Sequence, residues 1–231
     1  GVLSAALAIA FLLCIFGSQA LFDRLRCPPR YRPAAAGLIV GAIAIYVPQV
    51  LGVGYETTNV ALHEALPLTL LVMLLVGKLL ASGICLGGGF GGGVFSPALF
   101  IGAMSGGAFG SLWESFATQT GGDYSAYTIV GMGAVAGAVL GAPLSTTLII
   151  FEMTADYPLT LAVMLAVITS SVLVNDVWGK SFFQWQLKSR GVDLRFGHAE
   201  QLMRQVRMAE LVDADVTVLP AAADQARIGA A

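Results

Sequence analysis

Residues 79–113 run for 35 positions without a charged side chain, and within them stands Gly87-Gly88-Gly89-Phe90-Gly91-Gly92-Gly93-Val94-Phe95-Ser96-Pro97. No single helix accommodates that stretch. A hydrocarbon core about 30 Å thick is crossed by roughly 20 apolar residues in a helix, and a glycine run followed by proline interrupts helix propagation. Irregular backbone is tolerated at membrane depth only where protein buries it or where it lines a cavity. The same signature recurs at Gly141–Pro143, which cuts the uncharged stretch 124–151. Residues 1–22 and 157–175 are simple single-span lengths, 65–77 is a shorter uncharged stretch that ends before Lys78, and 33–55 spans only if it ends near Pro48. Interrupted apolar segments of this kind mark the broken helices of transport proteins. The expected fold class is an all-α polytopic membrane protein with a short cytosolic tail.

Charge supports the division. Only 11% of the residues are charged, against about 25% in an average soluble domain. That excludes a disordered chain, a nucleic-acid binder and an ordinary cytosolic enzyme. Of the 26 charged residues, 13 lie in 1–178 and 13 in the last 53, so a membrane domain is followed by a polar segment. The net charge of −2 implies no electrostatic partner. Cys14, Cys27 and Cys85 are too few and too scattered for a metal site or disulfide framework and read as small apolar fillers. Residues 1–22 lack a basic leader and a small-residue cleavage pattern, so they read as a span rather than a signal peptide. The chain is expected to be a fragment whose N-terminal portion is missing.

Lys and Arg set the orientation. Arg24, Arg26, Arg30 and Arg32 follow the first span, and Lys180, Lys188, Arg190, Arg195, Arg204 and Arg207 follow the last. Both places should be cytoplasmic, with the loops 56–64 and 118–123 outside. In the tail, residues 199–212 suit a short amphipathic helix or linker, and 213–220 (DADVTVLP) a strand.

The glycine run carries the chemistry. Glycine lets backbone approach a bound group without interference from Cβ, and a proline shortly afterwards suits the first turn of a helix. The following ALFIGAMSGGAFGSLW is helical in length and rich in small side chains for close packing. A helix N-terminus opening inside the membrane presents unpaired N–H groups and about half a unit of positive charge, which binds an anion without Lys or Arg. No cation occurs between Lys78 and Lys180, so anion affinity here would come from backbone. The alternative is that these glycines only permit tight helix packing; residue types alone do not separate the two. Gly87-x-Gly89-x-x-Gly92 also matches the dinucleotide fingerprint, but in such a run the match is nearly automatic and the setting is not a βαβ unit.

GGGVFSPALFIGA resembles the GxFxP signature of the CLC chloride channel and transporter family, here Gly93-Val94-Phe95-Ser96-Pro97. GMGAVAGAVLGAPLSTTLIIFEMTADYPL (131–159) and PQVLGVGYE (48–56) are similar to two further blocks of that family, in the same order. The resemblance runs from residue 1 to about 190. It implies the second inverted repeat of the CLC fold, with broken and tilted helices and the final membrane helix, then a linker over 191–206 and the truncated start of a CBS-type domain over 207–231. It implies chloride transport, by a channel or by exchange for protons, in a homodimer within the lipid bilayer of a bacterial inner membrane, with a cytoplasmic C-terminus and no cofactor. The amides of Val94 and Phe95 would contact chloride, with Gly93, Ser96 and Pro97 shaping the turn. The family's final helix usually adds a Tyr hydroxyl; aligning 178–183 places Phe183 there, and no Tyr follows Tyr157. The family's chloride-binding Ser, gating Glu and internal proton-accepting Glu belong to the first repeat, which this chain lacks.

Other candidates are weaker. Glu152, at the end of an apolar run, is a functional suspect by default, but reads as an acid that caps or anchors the turn before Pro158. Asp176 reads as interfacial, and His63 and His198 as solvated. A membrane-embedded hydrolase would need a nucleophile with a base, yet there is no GxSxG, no HExxH and no His within the spans. A noncatalytic assembly module built on small-residue helix faces is the third reading.

Overall fold

The computed structural model describes residues 1–116, 123–179 and 181–189. Among the described residues there are nine α-helices and no strand: α1 (Val2–Arg24), α2 (Arg32–Tyr46), α3 (Tyr55–His63), α4 (Leu68–Gly87), α5 (Phe95–Phe116), α6 (Tyr124–Leu140), α7 (Pro143–Thr154), α8 (Tyr157–Val177) and α9 (Phe182–Ser189), with a 3-10 turn at Pro48–Val50. The chain divides into a unit over Gly1–Trp185 and a second over Gln186–Ala231. The amphipathic segment and strand expected at 199–220, and the linker and CBS-type boundaries, lie outside the described residues.

Helices α1, α4, most of α5 and the segment opening at Tyr157 are long and apolar enough to cross a membrane. α2 does end just before Pro48, but its 15 residues give only about 22 Å at 1.5 Å per residue, short of a full crossing. α6 is the centre of the unit. Its 17 residues are apolar nearly all round, and Gly131–Val139 are buried without a gap, as expected of a helix enclosed by others. It is flanked by α1, α5, α7 and α8.

Lipid is as apolar as leucine, so close approach and dispersion rather than the hydrophobic effect hold such helices together. The α5–α6 crossing shows how. A Cβ at Gly102 would sit 2.5 Å from the Gly131 carbonyl oxygen, a Cβ at Gly131 would sit 2.5 Å from that of Gly102, and one at Gly106 would overlap the Tyr127 oxygen. The buried Ser170 hydroxyl adds a cross-helix bond from α8 to Ala134 O at 2.8 Å.

Two caps define the chain's course around α6 and α8. Asp123 accepts from Ser125 N at 3.2 Å, and Asp156 accepts from Leu159 N at 3.0 Å at the start of α8. This corrects the expectation for Glu152. Its side chain is exposed on α7 and makes no hydrogen bond or ion pair among the described residues; Asp156, one residue before the helix, has the geometry for the cap.

Candidate functional site

The break between α4 and α5 is built by local chemistry. α4 closes with Gly89 N donating to Leu86 O at 3.2 Å and Phe90 N to Cys85 O at 3.1 Å, with Gly89 at φ +87°. This is the Schellman ending, which favours glycine in the left-handed position. Residues 90–94 are irregular, and α5 opens at Phe95. Ala98 N donates to Val94 O at 3.1 Å, so Val94 stands at the N-cap and Pro97 at the third helical position. Pro97 therefore lies inside the first turn, where its missing N–H costs no helical bond. The amides of Val94, Phe95 and Ser96 have no acceptor among the described residues. The Ser96 hydroxyl is directed to Val53 O at 3.0 Å rather than to its own helix end.

The glycines of the run have two different reasons to be there. A Cβ at Gly87 would meet Ile15 O at 2.7 Å, and one at Gly88 would meet Ala36 Cβ at 2.5 Å. These two serve packing. At Gly91 and Gly93 a Cβ would meet nothing within 4 Å, and neither has a positive φ. Packing among the described residues does not account for them; they leave bare backbone beside open space. That space is a cavity of about 510 Å³ between the 50–53 segment, α4 and the glycine run. Gly91, Gly92, Gly93, Ser96 and Pro97 line it. Val94, 1% exposed, and Phe95 turn the other way, into a cluster with Phe11, Ile101 and Val139. Phe183 lies on α9, exposed, with its ring edge-on to Phe182 at 5.4 Å; it does not line the cavity, whereas Phe182 packs against the Val94 cluster.

The structure adds one residue that charge counting had treated as a boundary. Lys78 lies in the middle of α4, 3% exposed, and lines the same cavity. Its ammonium donates to Val50 O at 2.9 Å and Gly52 O at 2.7 Å. The available signal was a lone cation within the otherwise uncharged span 65–113. Anion affinity at this site therefore need not come from backbone alone. A larger cavity of about 720 Å³ lies around residues 48–57, and among the described residues its one charged lining residue is Glu56, the wrong sign for an anion site. Elsewhere, His63 Nδ1 lies 2.9 Å from Asn59 O of its own helix, Asp176 is exposed near the end of α8, and the three cysteines are free thiols. His198 lies outside the described residues.

A profile of the family described as voltage gated chloride channel matches residues 1–175. The chain belongs to this family. Within the CLC family it is 38% identical over 182 residues to a putative chloride channel protein ClcB-like of Ralstonia nicotianae, covering 78% of this chain and 42% of that protein. It is 32% identical over 147 residues to the H(+)/Cl(-) exchange transporter ClcA of Vibrio vulnificus, covering 64% of this chain and 32% of the relative. Its fold matches the crystal structure of a slow cyanobacterial Cl-/H+ antiporter with a TM-score of 0.73 and 25% identity, over 82% of this chain and 45% of that one. The chain thus spans less than half the length of these relatives. Membership of the CLC family makes it an integral membrane protein of all-α fold, as its uncharged, broken segments implied.

Proposed function

We propose that this chain forms one half of a chloride transport protein, in which chloride rests against the amides of Val94 and Phe95, Gly93, Ser96 and Pro97 shape the turn, and Phe183 occupies the place of the family's final-helix tyrosine. The observation that carries the reading is the first turn of α5: three amides without acceptors among the described residues, opening beside bare glycine backbone and a cavity. Such a turn attracts an anion through N–H groups and the helix dipole, and holds it weakly enough to release it. The relatives' names, a chloride channel protein and a Cl-/H+ antiporter, support chloride as the transported ion. They leave both passive and proton-coupled movement open. On this reading the protein is a transporter rather than an enzyme, needs no resident cofactor, and works as a multi-pass homodimer in a bacterial inner membrane with its C-terminus in the cytoplasm.

The test is chloride efflux from liposomes containing the natural full-length protein that carries this sequence. Efflux above that of empty liposomes, with bromide anomalous scattering at the Val94–Phe95 turn in bromide-soaked crystals, is the expected result. Absence of efflux, or bromide sites only elsewhere, rejects the proposal.

A further inference from the structure

The 50–54 segment is gripped from two sides. From α4, Lys78 donates to Val50 O at 2.9 Å and Gly52 O at 2.7 Å. From α5, Ser96 donates to Val53 O at 3.0 Å, and the Phe100 ring fills the space beside Gly54, where a Cβ would lie 2.5 Å from ring carbon Cδ2. Gly54 holds φ +88°, so a side chain there is excluded on conformational grounds as well. Phe100 also faces the lysine: the ammonium nitrogen lies 5.2 Å from its ring centroid, within the range of a cation–π contact. One short segment thus connects Lys78 to the first turn of α5.

The choice of lysine is informative. Irregular backbone at membrane depth must find its hydrogen bonds inside the protein, and a neutral donor could satisfy one of these carbonyls. A buried ammonium brings a full charge, which is costly unless compensated. Among the described residues no carboxylate pairs with Lys78, the recorded ion pair being Arg32 with Asp23. Among the described residues it is also the one cation lining the 510 Å³ cavity. A cation kept unpaired beside a cavity and a helix N-terminus raises the electrostatic potential there for an entering anion.

We infer that Lys78 is a positioning residue for anion transport: through the Val50, Gly52 and Val53 carbonyls and Ser96 it fixes the first turn of α5, and its charge, paired with no carboxylate among the described residues, favours anions at that turn. The inference rests on the transport reading above. It assigns Lys78 no direct contact with the ion.

The test uses the natural full-length protein in liposomes, with chloride flux measured across a range of chloride concentrations for wild type, K78R and K78M. K78M is expected to raise the half-saturating chloride concentration at least tenfold, and K78R, which keeps charge and donors, to stay within about threefold of wild type. A merely structural lysine would change the amount of folded protein and not the half-saturating concentration of what remains. Folded K78M with wild-type saturation overturns the inference. If K78M does not fold, S96A decides, because it cuts the other end of the same connection: a raised half-saturating concentration supports the inference and an unchanged one overturns it. Wild-type liposomes without flux would instead reject the transport reading itself, and this inference with it. Wild-type flux that responds to changes at Phe95 but not to K78M rejects only the role of Lys78.

Discussion

The proposed ion contact can be isolated at a single N–H group. Phe95 is the first residue of α5, a position where proline is well tolerated because the helix does not use that amide. The residue before a proline is pushed toward extended backbone, which is what an N-cap residue such as Val94 usually adopts. Phe95→Pro therefore removes one donor while leaving the helix able to start. Phe95→Ala removes the ring and keeps the donor. Both lose the ring's contact with the Val94 cluster, so the difference between the two variants reports the amide. A hydrogen bond to a charged group contributes about 1.5–3 kcal/mol, and each 1.4 kcal/mol is about tenfold in affinity. F95P should bind chloride roughly 10- to 100-fold more weakly than F95A. Binding should persist, since the Val94 and Ser96 amides remain at the turn. Titration calorimetry on the detergent-solubilised full-length protein measures the two Kd values, and thermal unfolding establishes that both variants are folded. Equal Kd values would refute the backbone-amide account of the site.

Phe183→Tyr restores a hydroxyl at the position proposed for the family's tyrosine; with about 0.5–1.5 kcal/mol per neutral hydrogen bond, chloride affinity should rise by roughly 2- to 12-fold in the same calorimetric assay. Gly106→Val places carbon against the Tyr127 carbonyl and should destabilise the protein by about 1–3 kcal/mol, whereas Gly93→Ala, facing open space, should leave stability within about 0.5 kcal/mol of wild type; denaturation in detergent compares them. Asp156→Ala deletes the α8 cap at 3.0 Å and should cost about 1 kcal/mol, while Glu152→Gln should change stability by less than about 0.5 kcal/mol in the same measurement.

Features coded by a few neighbouring residues were legible in the chain itself. The break near Gly87–Gly93, the placing of Pro97 in a first turn and the cut at Gly141–Pro143 all correspond to helix boundaries, because glycine and proline act on their own backbone wherever they stand. The family motifs at 48–56, 91–103 and 131–159 lie within the family match over residues 1–175. What depends on which surfaces meet was not legible. Glu152 and Asp156 are four residues apart and of like charge, and only the path of the chain between α7 and α8 shows which one faces free amides.

Scarcity of charge and glycine–proline punctuation are one-dimensional properties, and they alone make this a membrane protein of interrupted helices with a backbone break just before Phe95. Tertiary structure decided that Gly87 and Gly88 serve packing while Gly91 and Gly93 face a cavity. It also decided that Lys78, a boundary when charges are counted, is a buried cation bonded to carbonyls 26 and 28 residues upstream. The reason is physical: a backbone break is a local event, but a buried ammonium is tolerable only where distant segments bring their carbonyl oxygens to it.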